Sequence, residues 1–181
     1  VVIHHSDTMN FEDPVLGLRS IYYFHTVTKG WGDIGYNYVV DFLGNVYEGR
    51  IGGENAVAGH ALQYNPGTCG ICTMGRFFDD PPTPEMRAGL VWIVAWATRT
   101  LDPVGAAPFQ DIPSLPTICG HRDVNPTSCP GDALYAELDA FRAEVRAVQR
   151  GRREPGPAPV DPAFAPGEPV VTTAEGATLR D

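Results

Sequence analysis

The stretch Gly120-His121-Arg122-Asp123-Val124-Asn125-Pro126-Thr127-Ser128-Cys129-Pro130-Gly131-Asp132 restricts the fold more than any other. It sets an imidazole and a thiol eight positions apart on a proline-containing loop, and a helix is expected to begin directly after it. A thiolate and an imidazole on one short loop make half of a zinc site. A catalytic zinc ordinarily takes three protein ligands and keeps a fourth position for water. The candidate for the third ligand lies at the other end of the chain, in Val1-Val2-Ile3-His4-His5-Ser6.

The segments between these ends alternate in character. Val1 to His5 reads as a short apolar strand, and Pro14 to about Thr28 carries helical apolar spacing through Leu18, Ile21, Tyr22 and His25. Lys29 to Gly35 is a glycine-rich loop. Tyr36 to Val40 and Val46 to Glu48 read as a hairpin around Leu43-Gly44-Asn45, Ile51 to Pro66 as mostly loop, and Gly70 to Phe78 as another strand. Thr83-Pro84-Glu85 is a helix start: a threonine cap, proline in the first turn, and an acid at the positive end of the dipole. Met86, Leu90, Ile93, Val94 and Ala97 follow at helical spacing. Thr117 to Gly120 reads as a last strand, and Asp132 is expected to cap a final helix with Leu134, Leu138, Phe141, Val145 and Val148 on its apolar face. The pattern predicts an α/β fold: a central mixed, mainly parallel β-sheet flanked by helices, with the zinc site at the strand ends. His4 ends the first strand and His121 follows the last, so both can reach one spot with Cys129. Gly120 and Gly131 would let the backbone turn tightly there. By spacing alone, the His121–Cys129 pair fits a buried thiol beside a hydrogen-bonded histidine equally well.

Composition narrows the setting. With 181 residues and a net charge of −9, the chain is long enough for one domain, and a basic nucleic-acid surface is not expected. The apolar runs are too short for a membrane span. The domain is expected over residues 1–150. Residues 151–181, rich in proline, glycine and alanine, read as a linker or disordered tail. The strand already under way at Val1 suggests a fragment with a truncated N-terminus, so the lack of a visible signal says little about secretion. Cys69-x-x-Cys72 has redox or zinc spacing, but residues three apart on a strand face opposite ways. Two buried thiols are preferred there over a disulfide.

Several blocks occur in order: His4-His5-Ser6, Gly30 to Tyr38, Val46-Tyr47-Glu48-Gly49-Arg50, Gly59-His60-Ala61, Tyr64-Asn65, and Gly120 to Asp132. Together they resemble peptidoglycan recognition proteins and zinc-dependent N-acetylmuramoyl-L-alanine amidases, which are related to the amidase-type phage lysozymes. The resemblance covers roughly Val1 to Val148. It implies zinc held by His4, His121 and Cys129, with Tyr36 beside the metal as a catalytic group and Thr127 as a second. It also implies that His60 and Asn65 line the substrate groove. Zinc polarises water and the scissile carbonyl, and a neutral tyrosine hydroxyl can donate to the developing oxyanion. Without the resemblance, Tyr36 reads as a core aromatic of a strand. Among the other histidines, His5 points away from His4 and fits a core or supporting role, and His25 fits a satisfied core position. Trp31 and Arg50 read as structural.

The sequence also departs from its relatives. The phage lysozymes carry lysine where Thr127 stands, and another amidase branch carries a glutamate base where Cys72 stands. No carboxylate base is therefore assigned. Ile51-Gly52-Gly53-Glu54 replaces the Gly-Trp pair that the resemblance links to diaminopimelate recognition, so stem-peptide preference does not carry over.

Two functions follow from the resemblance. One is a peptidoglycan hydrolase that cuts the amide between N-acetylmuramic acid and L-alanine with zinc-activated water. The other is a non-catalytic module that binds peptidoglycan or muropeptides. Residue 129 separates them, because non-catalytic relatives commonly carry serine there and serine is a poor zinc ligand. Cysteine is present, with both histidines and Tyr36, which favours the enzyme, whether bacterial autolysin, phage endolysin or immune-type protein. Its place of action would be secreted or in the cell envelope, with a phage endolysin made in the cytoplasm as the alternative. An acidic chain has no charge attraction to an anionic wall, and a lost wall-binding domain beyond the tail would supply one.

Overall fold

The computed structural model of the chain describes residues 1–9 and 12–151. In chain order the strands and α-helices are β1 (Val2–His5), α1 (Pro14–Tyr23), β2 (Tyr38–Val40), β3 (Val46–Glu48), β4 (Gly70–Thr73), α2 (Pro84–Ala97), β5 (Ala106–Phe109), β6 (Ile112–Pro116), β7 (Cys119–Gly120), α3 (Asp132–Ala136) and α4 (Leu138–Gly151). Among the described residues, β3-β2-β4-β1-β7 form the central sheet and β5-β6 a separate hairpin. β1 runs parallel to β4 and β7, and β2 parallel to β4, while β3 pairs antiparallel with β2 at the edge. The expected mixed, mainly parallel sheet is what forms.

Alternation along the strands divides the interior. Ile3, Tyr38, Val40 and Ile71 face α2 and α4, where Met86, Leu90, Ile93, Phe141 and Val145 complete one continuous core. The opposite face is split. Val39, Tyr47 and Cys72 pack on Leu18 and Ile21 of α1. Val2 and Cys119 pack on Ala61, Tyr64 and Leu115 from the loop and hairpin. His4, in register with Cys72, lies on this divided face. The fold thus leaves a gap between two small clusters, with a histidine at its floor.

Local chemistry sets the helix starts. Asp13 caps α1 by accepting from the Val15 N–H, and Pro14 opens the first turn. Thr83 accepts from the Met86 N–H at 3.1 Å, with Pro84 and Glu85 following, as its sequence predicts. α1 ends in a π-type turn, Phe24–Thr28, which carries the buried His25.

Several sequence expectations are corrected. The strand expected over Gly70 to Phe78 ends at Thr73, after which Gly75 (φ 138°) turns the chain and donates its N–H to Ser6. The strand expected from Tyr36 begins at Tyr38, and the last strand shortens to Cys119–Gly120. The β5-β6 hairpin was not expected at all. The single final helix is two, broken at Glu137. Asp132 is not its cap: Gly131 occupies that position, and the Asp132 carboxylate pairs with Arg122 at 2.7 Å. Cys69 and Cys72 are free thiols; Cys69 packs against the α2/α4 core and Cys72 lies on the α1 side. α4 carries the folded part through Gly151, and the remainder of the expected tail lies outside the described residues. Among the described residues no helix is long and apolar enough to cross a membrane.

Candidate metal centre

The structure brings His4, His121 and Cys129 together, with one ligand atom from each lying within 4.8 Å of the others. His4 comes from the carboxyl end of β1, and His121 opens a short turn directly after β7. The loop then returns, closed by the Arg122 N–H donating to the Cys129 carbonyl at 3.0 Å. Asp123 pins it from inside, accepting from the Gly120 N–H at 2.8 Å and from the Tyr135 hydroxyl at 2.5 Å. Gly131 meets the turning role expected of it, with φ at 93° and no space for a Cβ against the Phe77 carbonyl. Gly120 acts differently. Its backbone is extended (φ −85°), and a side chain would meet Tyr135 at 2.8 Å.

The geometry suits zinc. Cys129 Sγ lies 3.7 Å from His4 Nδ1. Tetrahedral bonds of about 2.3 Å to sulfur and about 2.0 Å to nitrogen would set those atoms about 3.5 Å apart. The His5 backbone N–H donates to Cys129 Sγ at 3.4 Å, which favours a thiolate. The remaining ring nitrogen of each histidine has its own partner. His121 Nε2 bonds Asn125 Oδ1 at 3.1 Å, and His4 Nε2 bonds His60 Nδ1 at 3.0 Å.

Electrostatics keep the histidines neutral and able to ligate. Burial, then the neighbouring His60 and His121, holds His4 well below the usual imidazole range. Burial also lowers His121, and pushes His60 down to about 3. Burial raises the Cys129 thiol to about 12, and a bound cation would reverse that shift.

Tyr36 stands at the edge of this group, its ring 5.3 Å from that of His4. Burial, then the Cys72 and Cys129 thiols, raises its pKa well above the usual phenol value, so the hydroxyl keeps its proton. The Cys72 thiol lies beside that hydroxyl, in the cluster against which Tyr36 packs. Sulfur is a weak acceptor, and a substrate oxygen would compete well for the proton. Behind Tyr36, His25 accepts from the Gly35 N–H at 3.1 Å and stacks on Trp31 at 4.8 Å. His25 is the satisfied buried histidine the sequence suggests, and it also forms part of the cavity wall. Thr127 is exposed at the rim, where its hydroxyl oxygen accepts from the Cys129 N–H at 3.2 Å.

A cavity of about 280 Å³ is lined by His4, Tyr36, His60, His121, Thr127 and Cys129. A more apolar groove of about 710 Å³ adjoins it, bordered by Trp31, Arg50, Leu62, Asn65, Asn125 and Pro126. Asn65 and His60 both border this groove, but their polar atoms are largely engaged within the protein. Asn65 Oδ1 accepts from the His60 and Ala61 N–H groups at 2.8 and 2.7 Å, and the His60 ring bonds His4 and Thr68. Arg50 is structural as expected, donating to the Ile34 carbonyl at 3.0 Å. His5 also borders the cavity, and its Nδ1 accepts from the Phe77 N–H at 3.5 Å. Sequence reasoning missed the supporting roles of Asn125, Asp123 and His60. The four-residue step from His121 to Asn125 was a local signal for the first.

Residues 1–132 match the protein family described as N-acetylmuramoyl-L-alanine amidase. Peptidoglycan-recognition protein LB of Drosophila melanogaster is 30% identical over 147 residues, covering 78% of this chain and 58% of that protein. The N-acetylmuramoyl-L-alanine amidase of Homo sapiens is 36% identical over 152 residues, covering 77% of this chain and 24% of that one. The chain thus spans less than two thirds of the length of these relatives. A solved structure of a Drosophila peptidoglycan-recognition protein LB variant in complex with tracheal cytotoxin superposes with a TM-score of 0.64 at 29% identity. It covers 77% of this chain and 79% of that one.

Proposed function

The chain belongs to the N-acetylmuramoyl-L-alanine amidase family, and from that premise we propose that it is a zinc-dependent hydrolase of peptidoglycan, cleaving the amide between N-acetylmuramic acid and the L-alanine of the stem peptide. The observation that carries this reading is Cys129 completing a neutral His4–His121–thiol set at zinc-like spacing on the floor of an open cavity. A tracheal cytotoxin complex among the structural relatives supports a muropeptide in the adjoining groove. Because peptidoglycan lies outside the cytoplasmic membrane, the enzyme would act in the envelope or after secretion.

Bound zinc would polarise the scissile carbonyl and acidify a water molecule. The protein's own contribution is arrangement. His4, His121 and Cys129 would hold the ion, and the burial of His4 and Cys129 would strengthen charge interactions there. Tyr36, kept protonated, would donate its hydroxyl proton to the oxygen that gains charge in the tetrahedral transition state. Thr127 has its oxygen occupied by the Cys129 N–H, so its own proton is free to donate to the same oxygen or to a water at the rim. The Trp31–His25 stack fixes the wall behind Tyr36. The groove would seat the stem peptide so that the amide lies over the ligand set.

The test is digestion of purified peptidoglycan by zinc-loaded and chelated protein. Free stem peptides with new L-alanine amino termini, released only by the loaded form, are expected. Muropeptide binding with no release would make the chain a recognition module. Release of reducing sugar ends would mean that a glycosidic bond is cut instead.

A further inference from the structure

Both histidines of the candidate centre turn Nε2 outward, and each must carry its proton there if Nδ1 is to ligate. For His121 the partner decides the matter. Asn125 Nδ2 donates to the Leu62 carbonyl at 3.1 Å, so the oxygen of that amide faces His121 and can only accept. For His4 the partner is a third histidine, and an imidazole nitrogen can either donate or accept.

The surroundings of His60 resolve this ambiguity. Its other nitrogen, Nε2, lies 3.4 Å from the Thr68 hydroxyl. That hydroxyl has one proton, and the Tyr64 carbonyl at 2.5 Å takes it. Thr68 therefore offers His60 only a lone pair, and His60 Nε2 must be the protonated nitrogen. A neutral imidazole bears one proton, so His60 Nδ1 is an acceptor. His4 Nε2–H then donates to it, and the His4 Nδ1 lone pair points toward Cys129 Sγ.

The loop around His60 is shaped to hold this arrangement. Asn65 Oδ1 ties down the backbone at His60 and Ala61. Gly70 at the start of β4 leaves the ring its place: a Cβ there would lie 2.3 Å from the ring carbon of His60. We infer that His60 is a positioning residue, one that holds His4 in the Nε2–H tautomer and so presents its lone pair to the metal, and that residues 59–70 are folded to keep His60 there. The inference rests on reading His4 as a metal ligand and adds a residue that touches neither metal nor scissile bond.

Two measurements test it. The first needs no metal: long-range ¹H–¹⁵N correlation of histidine rings in chelated protein. The Nε2–H tautomer of His4 is expected in the parent, and a mixture of tautomers in His60→Ala. An Nδ1–H tautomer in the parent overturns the inference. The second is zinc affinity by competition with a chelator. His60→Ala should lose about 10- to 100-fold, the range for removing a partner of a ligating histidine. His60→Asn, whose Oδ1 can stand where Nδ1 stood and only accept, should regain most of the loss. Unchanged affinity in folded His60→Ala, with the deficit confined to KM, would make His60 a plain groove wall. Should His60→Ala not fold, Thr68→Val removes the hydroxyl that sets the His60 proton and should shift the His4 tautomer in the same direction; an unchanged tautomer there overturns the inference. A parent that binds no zinc yet shows the expected tautomer would refute the amidase reading and leave the hydrogen-bond relay standing.

Discussion

The two faces of the sheet are made from the same strands and serve different ends. Toward α2 and α4 the strands present Ile3, Tyr38, Val40 and Ile71, packed without interruption against Leu90, Ile93 and Phe141. Toward α1 they present Val39 and Cys72, and His4 lies between the α1 cluster and the loop cluster. Ile3 and His4 are adjacent, and the pleat alone sends one to each side. The first face buries apolar area and stabilises the fold. The second gives up continuous packing and buries His4, His25 and His60, which costs stability but leaves a cavity that can hold a metal. The faces should therefore be separable by mutation.

The largest expected effect is on the open face. Cys129→Ser should reduce zinc content to background and hydrolysis below detection, because a serine hydroxyl does not ionise near neutral pH as a metal-bound thiol does. Muropeptide binding should largely survive, since the groove is bordered mainly by other residues. Melting of the variant should match that of the chelated parent. Peptide release at the parent rate would show that the metal is not catalytic. Loss of binding in a folded variant would mean that groove and centre are coupled.

Phe141→Ala makes the converse case. The side chain is 1% exposed on α4 and faces the closed core. Truncation should cost about 3–5 kcal/mol of unfolding free energy, through lost burial and the cavity left behind. Below the melting transition, zinc affinity and turnover per folded molecule should stay near the parent values. A drop in zinc affinity without unfolding would show that the two faces are not independent.

Tyr36→Phe works within the open face. Removing one oxyanion donor should lower kcat by roughly 10²- to 10³-fold, or about 2.7–4 kcal/mol. Only a hydroxyl is lost and the ring keeps its place beside His4, so zinc content and KM should change little. A deficit wholly in KM would make the hydroxyl a recognition contact. Thr127→Val should have a smaller effect, because Thr127 stands exposed at the rim and its oxygen already serves the loop.

The closed face was far more legible in the sequence than the open one. Thr83-Pro84-Glu85 announced α2 because capping chemistry is local, and helical periodicity marked Leu90, Ile93, Phe141 and Val145 as core. The grouping of His4, His121 and Cys129 was legible through the ordered blocks that the chain shares with its relatives, more than through the weak His121–Cys129 spacing. The β5-β6 hairpin was hidden by Pro108, Pro113 and Pro116, which lower strand propensity and are tolerated because the hairpin stands apart from the central sheet. The break at Glu137 escaped because the apolar spacing runs on across it. The relay from Thr68 through His60 to His4 joins residues from a loop and a strand, and no local pattern encodes which ring nitrogen bears a proton.

The smallest effect is a pH dependence of the open face without its metal. His25 is 6% exposed, and burial, then Arg50 and Lys29, lowers its pKa from 6.5 to about 4. The folded state therefore binds fewer protons than the unfolded chain between these values. Stability from the neutral ring is fully present above about pH 6.5 and is lost as pH falls toward and through 4. By pH 5 this group should have withdrawn on the order of 1–2 kcal/mol. His4 and His60 shift in the same direction, so the total decline belongs to the whole face. The share of His25 can be isolated with His25→Gln, which cannot be protonated and keeps an acceptor for the Gly35 N–H. Urea unfolding in chelator should show the parent ahead of the variant at pH 7.5 and the gap narrowing by that amount at pH 5. A constant gap would mean that His25 titrates alike in both states. A widening gap would mean that the charged ring is stabilised in the fold, and that the open face accommodates charge better than its burial implies.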